Sequence, residues 1–190
     1  MSIKEEQIRQ ECWDKSLHAL GTSYVFELKT KFYKSWIRII TILGLVVPLL
    51  LGATVAAYGQ KSGILGVAIA ITAPITILQI VLSGISLAVK WDDQLAYSLE
   101  SQTENRIISE EYENLAKYPP IEINELEKRF AIIKTKDDAR IRQDEKISFS
   151  AKENRRGMRY ALWIRKKECV TCKKVPLSMN PTDCETCGKF

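Results

Sequence analysis

The apolar positions of the chain gather into two unbroken runs, with amphipathic stretches on either side. From Ile39 to Tyr58 the sequence reads IITILGLVVPLLLGATVAAY, and from Ile64 to Val89 it reads ILGVAIAITAPITILQIVLSGISLAV. Neither run holds a charge, and each reaches the roughly 20 residues that a helix needs to cross a bilayer core. Gly59-Gln60-Lys61-Ser62-Gly63 between them predicts a tight turn, so the pair reads as a helical hairpin over 39–89. Pro48 and Pro74 fall near the middle of each run, where membrane helices tolerate proline better than soluble ones. A hairpin buried inside a soluble core is the competing reading, but such cores seldom hold two uncharged runs of this length.

Outside the hairpin the pattern is helical. Ser2 with Glu5 fits a capping box, and Ile8, Cys12 and Ala19 make an apolar face that Gly21 is expected to end. Thr22–Ser35, with Tyr24, Phe26, Leu28, Phe32 and Tyr33, then leads into the first span. Such a stretch can lie on a membrane surface, but packing on neighbouring helices is the favoured expectation. After the second span Trp91, Leu95 and Leu99 continue a helix, rejoined by Ile108, Tyr112 and Leu115 and ended by Pro119-Pro120. Asn124 with Glu127 marks the next start, with Leu126, Phe130 and Ile133 facing inward. Ser150 with Glu153 is another capping box, opening a helix whose apolar face holds Met158, Leu162 and Trp163; Lys146–Phe149 before it reads as a short extended piece. The expected fold is an all-α membrane protein. It has a two-helix transmembrane hairpin (39–58 and 64–89), amphipathic helices over 1–38 and 90–167, and a small cysteine-bearing segment over 168–190.

Charge gives the hairpin an orientation. Lys29, Lys31, Lys34 and Arg38 precede the first span and Lys90 follows the second, against Lys61 in the turn. By the positive-inside rule both termini are then expected in the cytoplasm. Trp36, Tyr58 and Trp91 fall where aromatic rings favour the membrane interface. The chain's overall +5 hides a division into +4 over 1–90, −5 over 91–150 and +6 over 151–190. The basic tail, with Arg155, Arg156 and Arg159 as partner-binding candidates, could meet anionic lipid or a partner. Pairing with the acidic middle segment is the simplest account. Direct nucleic-acid binding is not expected, because stacking aromatics are not interleaved with these basic residues. The chain has one histidine, His18, and no nucleophile set beside a base, so it does not read as an enzyme.

The second span carries a polar stripe. Thr72, Thr76, Gln79, Ser83 and Ser86 follow one another at spacings of three and four, which places them on one helix face. Such a face can line a water-filled path in an oligomer, with Leu65 and Ile69 beyond it as a dry constriction. It can equally be helix–helix glue, as can the small-residue pairs Gly52/Ala56, Gly66/Ala70 and Gly84/Ala88. Two spans cannot enclose a pore alone, so both readings call for further helices, and a homo-oligomer is expected.

Four of the five cysteines fall in Cys169-Val-Thr-Cys172 and Cys184-Glu-Thr-Cys187-Gly188, with eleven residues between the pairs. Two CxxC turns present four thiolates at the corners of a tetrahedron, which is what a closed structural zinc site requires. A redox dithiol would call for a βαβ setting, and disulfides for an oxidising compartment; neither fits this chain. Four thiolates leave no open position for catalysis, so Zn2+ would serve to fold a zinc ribbon too short to have its own core. Cys12 is left over as a buried helical thiol.

With this spacing beside a two-span hairpin, the chain resembles the bacterial mobilome proteins named for CxxCx(11)CxxC, matched at Cys169, Cys172, Cys184 and Cys187. More broadly it resembles the two-transmembrane SLATT effectors of anti-phage defence. The resemblance implies a bacterial inner-membrane effector encoded beside a sensor, such as a nucleotide cyclase or reverse transcriptase. Such an effector acts by permeabilising or depolarising the membrane to arrest growth. Two other readings stand beside it: a membrane-tethered adaptor that recruits a cytoplasmic partner through the zinc ribbon and basic helix, and an accessory transporter subunit. The last ranks lowest, because no ionisable group lies inside either span.

Overall fold

The computed structural model describes residues 3–59 and 63–190. Among them are five helices and no strand: α1 (Ile3–Tyr58), α2 (Gly63–Ala88), α3 (Trp91–Lys117), α4 (Ile123–Asp144) and α5 (Ala151–Arg165). They fall into two compact units, Lys29–Tyr97 and the combination of Met1–Leu28 with Ser98–Phe190. Helix α1 contributes residues to both.

In the Lys29–Tyr97 unit the second half of α1 packs on α2. Tyr33, Ile37, Ile40, Gly44, Val47, Leu51 and Thr54 form the covered face of α1, recurring every three or four residues as a helix pair requires. The remaining surface is apolar and open, with Leu45, Leu49, Ile71, Ile77, Leu78 and Leu87 exposed. The most apolar 18-residue stretch of α1 is 6% buried and that of α2 is 0% buried. A helix from a soluble core hides its apolar side chains within the chain, and these two do not. Both are long and apolar enough to cross a membrane. Pro48 and Pro74 remain inside their helices. Gly59, at φ +77°, leaves α1 in the left-handed conformation that glycine adopts freely; the rest of the predicted turn, Gln60–Ser62, lies outside the described residues. At the opposite end Trp36 and Trp91 have ring centroids 6.4 Å apart, and Phe32 lies 6.3 Å from each.

In the other unit the first half of α1 joins α3 and α4. Their core is Cys12, Ala19, Ile108, Tyr112, Leu115, Leu126 and Ile133, with Ile8, Trp13 and Phe130 against it. Serines let α1 and α3 approach closely: the Ser16 hydroxyl donates to the Ser109 carbonyl (2.9 Å), the Ser109 hydroxyl to the Ser16 carbonyl (2.8 Å), and the Ser23 hydroxyl to the Gln102 carbonyl (2.8 Å). Helices α3 and α4 are joined through Arg140, whose side chain is 2% exposed. It donates to Asp144 (2.8 Å), Ser101 (2.8 Å), Glu100 (3.0 Å) and Glu104 (2.7 Å). Asn105 donates to the second oxygen of Asp144 at 2.7 Å, so the buried carboxylate is satisfied on both sides. The acidic middle segment is met from both flanks, by Lys15 on Asp137 at 3.1 Å and by Arg165 of α5 on Glu113.

Several local expectations are corrected. Gly21 does not end the first helix, because α5 crosses α1 at that point. A Cβ on Gly157 would lie 2.6 Å from the Gly21 carbonyl oxygen, and one on Gly21 would lie 3.1 Å from Gly157. Tyr24 stacks on Tyr160 one turn further on, with ring centroids 4.0 Å apart. Contact at the crossing offsets the roughly 1 kcal/mol that a helical glycine costs relative to alanine. Helix α4 begins at Ile123 with Glu122 as its N-cap and no side-chain cap bond, so Asn124 sits inside the first turn. Trp163 points outward at 38% exposure, while Ala161 and Leu162 are buried. Lys146–Phe149 forms no strand, and Phe149 meets Phe26 edge-on. The Ser150–Glu153 capping box forms as expected, and α3 ends just before Pro119. Ser2 of the first capping box lies outside the described residues.

The crossing yields a prediction. Gly157→Ala should destabilise the α1/α3/α4/α5 unit by about 1–3 kcal/mol, read as an earlier denaturant midpoint in Trp13 fluorescence. Gly84→Ala, which meets nothing within 4 Å, should leave the midpoint in place.

Candidate metal centre

Helix α5 stops at Lys166, whose left-handed backbone (φ 51°) turns the chain back, its N–H donating to the carbonyls of Leu162 and Trp163. Two tight turns follow. In the first, the Lys173 N–H donates to the Cys169 carbonyl (2.9 Å) and the Cys169 N–H to the Lys174 carbonyl (3.1 Å). In the second, the N–H groups of Gly188 (2.9 Å) and Lys189 (3.1 Å) donate to the Cys184 carbonyl. Gly188 is required for space, not for a left-handed backbone as in a sharp turn: a Cβ there would lie 2.2 Å from the Thr182 hydroxyl and 2.4 Å from its carbonyl oxygen. The segment expected as a ribbon is thus built from two turns without strands.

The turns bring all four Sγ atoms within 4.8 Å of one another. Cys169 and Cys184 are 3.8 Å apart and Cys172 and Cys187 3.9 Å, and all four are free thiols. A tetrahedron of sulfurs about 2.3 Å from a central ion has edges of about 3.8 Å. The donor set therefore fits a tetrahedral metal ion. Backbone N–H groups of Cys187 and Thr186 aimed at the Cys184 sulfur hold that thiol down at about 6, while burial pushes the Cys187 thiol up. Cys12, far from the cluster, is held by burial and by neighbouring Glu11 at about 12, an inert thiol.

The cluster rests on a platform of helix. Cys169 and Cys187 are buried with Leu162, and Leu17 of α1 and Met158 of α5 pack against them. Arg159 reaches under the second turn, donating to the carbonyls of Ser178 (2.7 Å) and Cys187 (3.2 Å). Arg155 donates to the carbonyls of Glu185 (2.8 Å) and Lys189 (3.0 Å). Two of the three basic candidates are therefore engaged within the chain, and Arg156 is the exposed one of the three. Lys189 pairs with Glu185.

The structure also places the polar stripe. Thr72, Thr76, Gln79, Ser83 and Ser86 are each half-buried, while most of α2 is exposed, and they lie on the face toward α1. The Thr72 and Thr76 hydroxyls donate to the carbonyls of Ala68 (2.8 Å) and Thr72 (2.9 Å) of their own helix. The Gln79 amide lies over Gly44, where a Cβ would come within 2.7 Å of its nitrogen. Within this chain the stripe is a helix–helix contact, and Gly44 is the partner that the sequence pattern did not single out.

Residues 9–190 match the family model of the Mobilome CxxCx(11)CxxC protein, and the chain belongs to that family. No curated protein and no solved structure matches it.

The geometry predicts one thiolate-held metal ion per chain by elemental analysis, lost in Cys184→Ser. Against a thiol-reactive chromogen the metal-loaded protein should show no fast thiol. Chelation should release four, with Cys12 reacting only on unfolding. Five fast thiols in the loaded protein would contradict the site.

Proposed function

We propose that the chain is a bacterial inner-membrane effector of the SLATT kind, with both termini in the cytoplasm and its cysteine cluster holding a structural Zn2+. Zinc suits four thiolates in a tetrahedron, with no open position for substrate. When bound, the ion would cross-link two turns that have little core of their own. Triggered by a co-encoded partner or its product, copies of the hairpin would assemble and depolarise the membrane.

One observation carries this reading: α1 runs without a break from the helical platform beneath the cysteines into the first span. Anything that alters the cytoplasmic unit thus acts on a helix that continues into the membrane. The placement of the stripe supports a closed resting state, with Thr72–Ser86 covered by α1 of the same chain. Assembly is supported by Gly52, Gly66 and Gly84, which meet nothing within 4 Å and leave small-residue faces open to neighbouring helices. In the active state copies would exchange the α1/α2 contact for contacts between chains and turn the stripe to water. The same placement favours a second reading, the membrane-tethered adaptor, in which the stripe only holds the hairpin together.

The test is membrane potential, followed with a voltage-sensitive dye in bacteria expressing the chain with its genomic neighbours. The effector reading expects depolarisation with the wild type and its loss in Thr76→Leu/Gln79→Leu at equal membrane levels. Equal depolarisation by the double variant would remove the stripe from the path. Full polarisation throughout, with growth arrest lost on deletion of 168–190, would establish the adaptor.

A further inference from the structure

Helix α5 presents a face that neither the core nor the metal site uses. Lys152, Arg156 and Trp163 are exposed and lie along one side of the helix, with Tyr160 and Ile164 at its edge. The spacing of four, four, three and one keeps them on a common strip, opposite Gly157, Ala161 and Leu162, which face α1 and the cysteines. Basic residues and an exposed tryptophan on one strip mark an interaction surface. Tyr160 is already stacked on Tyr24. That leaves Trp163 as the one open ring, too few for a single-stranded nucleic acid that stacks successive bases.

The complement of this strip is on the same chain. On the side of α3 away from its buried serines, Leu99, Thr103, Ile107 and Glu110 are exposed, flanked by Glu100 and Glu104. Leu99 and Ile107 are 47% and 49% exposed and stand about two turns apart on this face. Beside Ile107 a groove of about 330 Å3 runs between α3 and α4, lined by Glu104, Glu111, Lys136 and Ala139. Glu110 is paired with Arg106 and Glu111 with Lys136, while Glu100, Glu104 and Asp144 share the single cation Arg140, so a net negative charge remains beside this face. One face is basic with Trp163 and Ile164; the other carries Leu99 and Ile107 beside the net negative Glu100, Glu104 and Asp144 group around Arg140. At 1.5 Å per residue each strip is roughly 17 Å long.

We infer that these faces meet between copies: the α5 strip of one chain seats on the acidic α3 face of the next. This deepens the oligomeric reading above and rests on it. Because the two patches differ, the contact is head-to-tail, and a head-to-tail contact that closes makes a ring. A rotation axis along the membrane normal then keeps every hairpin in the same orientation in one bilayer. The ring contact lies entirely in the extramembrane unit, so it operates whether the hairpins are closed or rearranged.

The experiment reads the mass of the full-length, metal-loaded chain in detergent micelles by native mass spectrometry and sedimentation. Two charge variants are used, Lys152→Glu/Arg156→Glu on α5 and Thr103→Lys/Glu110→Lys on α3, neither touching a cysteine, Arg140 or the stripe. Metal content equal to wild type confirms that each variant is folded. Each alone should weaken assembly by at least about tenfold in concentration, and mixing the two should restore oligomers that alternate between them. A wild-type oligomer that neither variant disturbs would overturn the interface and leave the oligomeric reading standing. A monomeric wild type would overturn both. Nucleic acid co-purifying with wild type and lost only from the α5 variant would overturn the inference in favour of that ligand.

Discussion

The absence of two β-carbons fixes much of the α1/α3/α4/α5 unit. Where α5 crosses α1, Gly157 and Gly21 bring main chain against main chain, at a distance that a Cβ on Gly157 would block and one on Gly21 would crowd. That approach seats Met158 and Leu162 beside Leu17 and provides the apolar floor under Cys169 and Cys187. It also turns Arg155 and Arg159 toward the carbonyls of the cysteine segment. The segment itself buries little beyond Cys169, Pro176, Cys187 and Gly188, so its shape depends on the floor, the two arginines and any ion that the four thiols hold. A short segment with so small a core is held by cross-links of this kind.

What the sequence revealed, and what it hid, follows from whether one residue or a pair of distant residues decides the outcome. The two long apolar helices were legible because lack of charge over about 20 residues is a local property of the chain. The cysteine set was legible for a similar reason, since two CxxC turns carry their own geometry and need only be brought together. The Ser150–Glu153 box was legible because both partners lie in one helical turn. Gly21 was not, because a glycine that ends a helix and one that admits a crossing helix look alike until Gly157 is placed opposite. Trp163 was assigned inward on hydrophobicity alone; the inward side of α5 is set by the crossing, and Ala161 and Leu162 occupy it. Arg155 and Arg159 read as surface charge because main-chain carbonyls, which have no sequence signature, are their partners. The need for Gly188 was not legible either, because Thr182, outside the CxxC turn, is what excludes a side chain there.

The two units are held together internally by interactions of very different strength. The α1/α3/α4/α5 unit has the buried Arg140–Asp144 pair with its full set of partners, Asp137 satisfied by Lys15 and Tyr112, and the cysteine cluster. Burial and the hydrogen bond from its hydroxyl to Asp137 both raise the Tyr112 pKa, so that phenol stays protonated and donating. Removing one member of a buried charge network costs about 3–5 kcal/mol, since the other is left uncompensated. Between α1 and α2, by contrast, the threonines bond to their own helix and Gln79 lies over a glycine. Polar contacts between helices in a bilayer average about 0.6 kcal/mol, because a separated helix soon finds other partners.

That imbalance bears on where a conformational change can occur. For the effector proposed above, a trigger of about a few kcal/mol would be too small to dismantle the ion-paired unit, but comparable to the sum of contacts along the α1/α2 interface. Lipid offers no hydrophobic penalty for parting two apolar helices, so the alternative partners decide the equilibrium. Gly52, Gly66 and Gly84 on the open surface are such alternatives. A second copy can approach there as closely as Gly44 lets Gln79 approach within the hairpin. In the proposed effector, a rigid unit that gathers copies, joined by the unbroken α1 to a hairpin held by exchangeable contacts, would confine the change to the hairpin.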